Sequence, residues 1–391
     1  MDGPRACRED EFDEAIALIN SVFRAGTDQD IQADYPLVFN QAGLKYMRIV
    51  RVDDRIVAHV PVAPREVRVG DDGFTAAVIS PTLSHPDYRH RGYATACLMD
   101  CVRIMDESGW PVSVLWTQVQ TFPFYQNTGW EAMSPQGWGY WLDHDDASRF
   151  ESGSFDIVPY DWTNREHLEA IGRLNDAETH RILRTREELA ALLTLPKIHV
   201  HLAVQGSVIA GYLVVGEAMN KRGLLEGGGA PGAIGALVRD ELSRLGQGEN
   251  LQVQAPLSPS PLGRLMESTM GDDRITIEEA ALAGHQMIRI NSLVGLLRGM
   301  EGHLRACSQG VRATVGLECS DSGEAVTISL DDGDVDITTA RSEDSLSLSR
   351  RQLAALIFGH HASVEPPPVP SGTVLDRLFP FYFAVPGLDR S

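Results

Sequence analysis

The densest chemistry in the sequence lies in YRHRGYATACLMDCVRIMDESGW, residues 88–110. Arg89, His90 and Arg91 crowd just ahead of Gly92, and Arg89-x-x-Gly92-x-Ala94 falls between a strand-like run and a helix-like one. A strand-to-helix turn exposes unpaired backbone N–H groups at the positive end of the helix dipole, and small residues there let a pyrophosphate come within hydrogen-bonding reach. Gly92 supplies the room and the three basic residues the charge, in a chain whose formal net charge is -20. The same hexapeptide also describes a tightly packed helix start beneath solvated cations. A second chemical group follows in TFPFYQNTGW, where Tyr125 precedes Gly129 and Trp130. Taken by itself, its ring fills core space beside Phe122, Phe124 and Trp130.

The elements around these groups read as a mixed α/β arrangement. A helix expected over residues 10–22 spaces Phe12, Ile16, Ile19 and Phe23 as one face, with carboxylates in the first turn where the dipole favours them. Residues 45–52, 56–68 and 74–83 read as three strands joined by the turns Asp53-Asp54 and GDDG. A helix over 95–108, closed by Gly109, and a short apolar strand over 111–117 complete a βαβ unit.

A polar stretch, residues 143–154, suggests a domain boundary. Beyond it the order of elements is echoed: helices over 165–174 and 186–193, a hairpin over 198–217, a glycine-rich turn, a helix over 233–245 and a strand over 250–255. From Met287 the pattern changes to a helix over 293–307, three alternating strands over 312–339, a helix over 349–358, and a proline-rich EPPPVPSG before a C-terminal helix and tail. The expected fold class is α+β with mixed sheets, in segments 1–148, 149–284 and 285–391.

The combination of R-x-x-G-x-A, the strand-helix-strand order and the following Tyr resembles the GCN5-related N-acetyltransferase (GNAT) family over roughly residues 1–145. The plan of the whole chain, with SHPDYRHRG, DESGWPVSVLWT, FYQNTGW, MIRI, RRQLAALIFGH and the ending LDRLFPFYFAVPGLDRS, resembles the Eis (enhanced intracellular survival) group. That resemblance implies tandem GNAT folds, the second degenerate, and a C-terminal sterol-carrier-like (SCP2-like) α+β domain acting as a platform for the tail. It implies acetyl-CoA as co-substrate, with Thr82, Leu83 and Ser84 offering backbone groups to the thioester and pantetheine arm. Arg89, His90, Arg91, Gly92, Tyr93, Ala94 and Thr95 would hold the pyrophosphate, and Tyr125 would be the acid. The group's base is the C-terminal carboxylate, here Ser391, with Asp389 or a bound water as alternatives; Ser391 departs from the usual aromatic or aliphatic last residue. A hexamer and a small-molecule or peptide amine acceptor are likewise implied.

Composition narrows the partners. With 54 acidic against 34 basic residues the chain repels nucleic acid and suits cationic acceptors, and Asp28, Asp30 and Asp34 could line an entrance. No apolar run is long enough for a membrane span, and the acidic first residues lack the pattern of a secretory signal, so a cytoplasmic location is expected. Five scattered cysteines suggest neither disulfides nor a zinc site, and Cys97 and Cys101, four apart, read as core. No metal site is expected: His199 and His201 lack a completing ligand, and His360-His361 reads as a helix-end feature. Residues 227–232, GGGAPG, match a dinucleotide fingerprint, but Pro231 removes an N–H the phosphates would need. They read better as a second phosphate turn that has lost its basic residues.

Overall fold

The computed structural model describes residues 1–151, 153–218, 221–276 and 284–390. They fall into two compact units, one of residues 1–134 and 285–381, the other of residues 135–284 and 382–390.

The first unit is built on a sheet whose strands follow the order Asp2–Ala6, Met47–Val52, Arg55–Val69, Asp72–Ile79, Val112–Thr117, His285–Ile290 and Glu131–Ala132. Neighbours are antiparallel except Asp72–Ile79 and Val112–Thr117, which run parallel and are joined by the helix Tyr93–Ser108. That helix forms because Cys97, Leu98, Cys101, Val102 and Met105 fall on one face, and all five are buried. It packs on Met47–Val52 and Arg55–Val69 and ends where Gly109 turns left-handed at φ +69°. The two cysteines are core residues, and burial pushes the Cys97 thiol up to about 12.

Several expected elements differ in their limits. The first helix runs Phe12–Phe23, because Glu9–Glu11 forms a 3-10 turn ahead of it. The strand expected over 74–83 stops at Ile79 and resumes as Leu83–Ser84; Pro81 lies in the gap and has no N–H for a ladder. The helix expected over 293–307 is two, Leu293–Gly299 and Glu301–Cys307. Gly299 sits where a Cβ would meet Phe74 Cβ at 2.8 Å, and the Asp72 carboxylate accepts a hydrogen bond from Gly302 N at 2.5 Å, so the chain turns against Asp72–Ile79 and restarts. The remainder of this unit is a small sheet in the order Asp334–Thr338, Ala325–Asp331, Arg312–Cys319, Leu346–Leu348, one short strand more than the sequence suggests. The expected C-terminal helix is only the turn Leu375–Leu378.

In the second unit the order is Ile275–Thr276, Gly137–Leu142, Leu251–Pro256, Lys221–Gly229, Val208–Ala218, Ile198–Gln205, Asp156–Pro159. Again one adjacent pair, Lys221–Gly229 and Leu251–Pro256, is parallel and bridged by a helix, Pro231–Ser243. The echo read from sequence is thus an echo of topology. Gly137–Leu142 pairs with Leu251–Pro256 in the second unit's sheet, and His285–Ile290 pairs with Val112–Thr117 in the first unit's. The contact boundary therefore falls between Ser134 and Pro135, ahead of the polar stretch 143–154. Among the described residues no helix is long and apolar enough to cross a membrane.

Candidate active site

The parallel ladder of the first unit is short. It joins Ala76 to Val112, Ala77 to Ser113 and Val78 to Val114, and ends there. Past that point the two strands diverge, because each is held by a different neighbour. Leu83 and Ser84 pair with His59 and Ala58, while Leu115, Trp116 and Thr117 pair with Met287, Gln286 and His285. Residues 80–84 and 115–117 therefore border a gap at the ends of two parallel strands, where α/β sheets commonly bind ligands.

One end of this gap leads to the basic turn. His90 and Gly92 both hold left-handed φ, +60° and +79°. A Cβ on Gly92 would meet nothing within 4 Å, so glycine is required by backbone conformation and not by crowding. Arg89, His90, Arg91 and Gly92 are exposed. The helix beyond makes its first bond from Ala96 N to Gly92 O at 2.9 Å, which leaves the N–H groups of Tyr93, Ala94 and Thr95 without helical acceptors. Arg91 lies over the Tyr88 ring at 5.1 Å and donates to Asp87 O at 3.3 Å. The turn thus combines free backbone donors with exposed basic residues, Arg89 and Arg91 among them.

Tyr125 stands on the helix Phe122–Gln126 and is 8% exposed. Its carbonyl accepts from Thr128 N at 3.0 Å, Thr128 Oγ1 at 2.8 Å and Trp130 N at 3.2 Å. Gln126 Nε2 donates to Glu131 Oε1 at 2.8 Å, and Glu131 is in turn paired with Arg351 at 2.6 Å. The phenol itself lies among Phe124 and Trp130, with ring centroids 4.8 and 6.5 Å away. Burial raises its pKa, and the nearby Thr82 hydroxyl opposes the rise. Thr82 Oγ1 is buried and meets no group at full hydrogen-bonding geometry, so we read its approach to the phenol as a loose contact. Tyr125 is accordingly a protonated phenol at neutral pH. Tyr125 lies near Thr82, which leads into Leu83 and Ser84 at the divergence, and the turn Arg89–Thr95 follows them along the chain. Ser391 lies outside the described residues.

Other candidates from sequence are engaged elsewhere. Asp34 pairs with Arg24 at 2.6 Å, and Asp30 caps the helix Ile31–Asp34 by accepting from Gln32 N at 3.2 Å; Asp28 is exposed. His201 stands 3.7 Å from Glu241, and among the described residues no group of three or more metal-binding side chains occurs. His361 is no helix-end cation: burial lowers its pKa, and its ring stacks edge-on to His285 at 4.7 Å and Phe122 at 5.6 Å.

Sequence reading passed over His59. It faces Leu83 across the ladder, is wholly buried with neither ring nitrogen hydrogen-bonded, and has its pKa driven by burial down to about 3. A histidine at an alternating position of an apolar strand was the available signal. Because the unfolded chain takes up a proton near pH 6.5 and the folded one only near 3, stability is unaffected above 6.5 and falls as pH drops toward 3, by roughly 5 kcal/mol in full. Urea unfolding of His59→Leu should show a flatter acid limb than the parent between those pH values; parallel limbs would refute the assignment.

Residues 4–133 match the sequence profile of the family described as "Acetyltransferase (GNAT) domain". No curated protein matches the chain. Among solved structures, a GCN5-related N-acetyltransferase from Anabaena variabilis superimposes with a TM-score of 0.67 at 16% identity, over 90% of this chain and 88% of that one. A GCN5-related N-acetyltransferase from Kribbella flavida gives 0.64 at 17% identity, covering 90% and 88%. Eis1 from Mycobacterium abscessus gives 0.59 at 14% identity, covering 91% and 89%. At these identities the likeness speaks for the fold, which extends over both units. The profile match spans the diverging strands, the basic turn and Tyr125, so residues 4–133 are an acetyltransferase (GNAT) domain, that of an N-acetyltransferase with acetyl-CoA as its co-substrate.

Proposed function

We propose that the chain moves the acetyl group of acetyl-CoA to a primary amine of a cationic acceptor, such as an aminoglycoside, a polyamine or a lysine side chain. The observation that carries this reading is the meeting of a buried, protonated Tyr125 with Thr82 beside the strand divergence that leads to the Gly92 turn. The amine nitrogen attacks the thioester carbonyl, the C–N bond forms, the C–S bond breaks, and the sulfur takes the Tyr125 proton as it leaves. Backbone N–H groups near Ser84 stabilise the oxyanion. The amine sheds its proton to the Ser391 carboxylate or to a water. Asp389 is a poor alternative, being wholly buried and ion-paired within the second unit. The acidic balance of the chain supports a cationic acceptor.

The Eis-like organisation belongs to the same proposal: segments 1–148, 149–284 and 285–391, the last sterol-carrier-like, in a cytoplasmic hexamer. Support comes from the sequence resemblance and from the fold-level likeness to Eis1 along 91% of the chain.

The direct test follows free thiol release from acetyl-CoA with a panel of polyamines, aminoglycosides and lysine peptides. Release with cationic amines is expected; acetyl-CoA binding without release from any amine would leave a non-catalytic acyl-CoA or lipid-binding protein instead. In the same assay Arg89→Ala combined with Arg91→Ala should raise the KM for acetyl-CoA roughly tenfold with kcat within about twofold, the scale of about 1 kcal/mol for exposed charges on a phosphate. An unchanged KM would remove the two arginines from the cofactor site.

A further inference from the structure

The second unit repeats the strand divergence of the first. Its parallel ladder joins only Gly223 to Gln252 and Leu224 to Val253. Beyond it, Glu226, Gly227, Gly228 and Gly229 pair with Val214, Leu213, Tyr212 and Gly211, while Gln254, Ala255 and Pro256 pair with Gly139, Trp138 and Gly137.

The side chains at this divergence are unlike those of the first unit. The Arg184 guanidinium donates to Glu226 at 2.7 and 3.0 Å and to Asp389 at 2.5 and 2.9 Å, and Tyr212 OH donates to Glu226 Oε1 at 2.8 Å. The side chains of Arg184 and Asp389 are 3% and 0% exposed. Burial alone would lower the Arg184 pKa, but the two carboxylates raise it well above its usual value. Asp389 belongs to the 3-10 turn Gly387–Arg390, which packs on Lys221–Gly229 with Leu388 buried beside it.

The glycine run is fitted to this cluster. A Cβ on Gly228 would meet the Tyr212 ring at 2.4 Å, and one on Gly229 would meet Ala210 O at 2.3 Å. Gly228 thus clears the surface over which Tyr212 reaches Glu226. The turn that follows has Pro231 as its first helical residue, without an N–H, and no basic side chain.

We propose that the second unit has turned the end of its diverging strands into a receptor for the chain's own C-terminal segment, with Arg184, Glu226 and Tyr212 as the binding groups and Asp389 as the residue bound. The glycine-rich turn serves Tyr212, not a nucleotide, and the chain carries one acyl-CoA site. Arg184 is the group that selects: it bridges a carboxylate of the strand to a carboxylate of the tail, so a tail lacking Asp389 leaves it half-paired where it is buried.

The test uses the full chain. In the parent, hydrogen exchange of the amides at 387–390 should be as slow as in the strand Val208–Ala218; exchange at the rate of an exposed loop would overturn the proposal. Asp389→Asn should speed exchange at 387–390 about a hundredfold or more, the scale for breaking a buried ion pair from one side. A synthetic peptide of residues 382–391 should then bind the Asp389→Asn chain, but neither the parent, whose site is filled, nor the Asp389→Asn, Arg184→Met double variant. Binding to all three alike, or to none, would overturn it. Calorimetric titration of the parent with acetyl-CoA should give one site per chain, and two would place a cofactor in the second unit. These readouts are independent of turnover, so they stand apart from the test of acetyl transfer.

Discussion

Tyr125→Phe is expected to lower kcat by about 10²- to 10⁴-fold while leaving the KM for acetyl-CoA nearly unchanged. The substitution removes one oxygen and keeps the ring, so the packing with Phe124 and Trp130 and the hydrogen bonds to the Tyr125 carbonyl persist. A loss confined to kcat is the signature of an interaction made only in the transition state. The pH dependence follows from the direction of the pKa shift. Burial holds the phenol above its usual value of about 10, so its proton is present throughout the neutral range and is lost only as pH rises past the raised value. Any alkaline fall in the parent's kcat from this group should vanish in the variant. Because donation from a raised phenol to a thiolate is uphill, the proton must move as the C–S bond opens, and a solvent isotope effect on kcat should be present in the parent and smaller in Tyr125→Phe. Equal kcat values in the two proteins would assign Tyr125 to the core alone.

The candidate residues of this site could be picked out before its geometry. Arg89, Gly92 and Tyr125 carry local signals: a basic, glycine-containing turn ahead of an amphipathic helix, and an aromatic just past a buried strand. Such signals depend on a few adjacent residues, so sequence displays them. The divergence of the two parallel strands is not local. It arises because Leu83 and Ser84 are claimed by His59 and Ala58, while Leu115–Thr117 are claimed by a strand about 170 residues later in the chain. No periodicity reports a partner that distant.

The same limit explains the other departures. The helix expected over 293–307 keeps its apolar period through Met300, and the features that divide it, the approach of Gly299 to Phe74 and the hydrogen bond of Gly302 to Asp72, come from a strand more than 200 residues earlier. His361 sits after a helix and invites a dipole argument, which is a local argument; the neighbours that decide its behaviour, His285 and Phe122, come from two other elements. Asp389 was legible only as an acid near the C-terminus. Its partner Arg184 stands alone in the sequence without any motif, since a buried ion pair needs just one well-placed opposite charge.

Removing that charge should have the largest effect on stability. Arg184→Met is expected to destabilise the second unit by about 3–5 kcal/mol at neutral pH, because Glu226 and Asp389 are then left as two buried carboxylates without a cation. Its dependence on pH has a defined sign. Burial pushes the Glu226 carboxyl up, but Arg184 and the Tyr212 hydroxyl pull it below its ordinary value. In the parent its contribution is therefore present above the unfolded pKa of about 4.3 and is lost as pH falls through the lower folded value. Without Arg184 the Tyr212 hydroxyl still lowers the carboxyl, but burial, the largest influence, and the neighbouring carboxylate outweigh it, so the folded pKa rises above the unfolded one and the protonated form is favoured. The deficit of the variant should accordingly shrink as pH is lowered toward about 5. Joining Arg184→Met to Glu226→Leu and Asp389→Leu should restore most of the stability, since an apolar trio of similar volume needs no counter-charge. Hydrogen exchange in Lys221–Gly229 and Val208–Ala218 reports on this unit directly. A deficit independent of pH, or a triple variant no more stable than Arg184→Met, would mean that the side chain acts through packing and not through its charge.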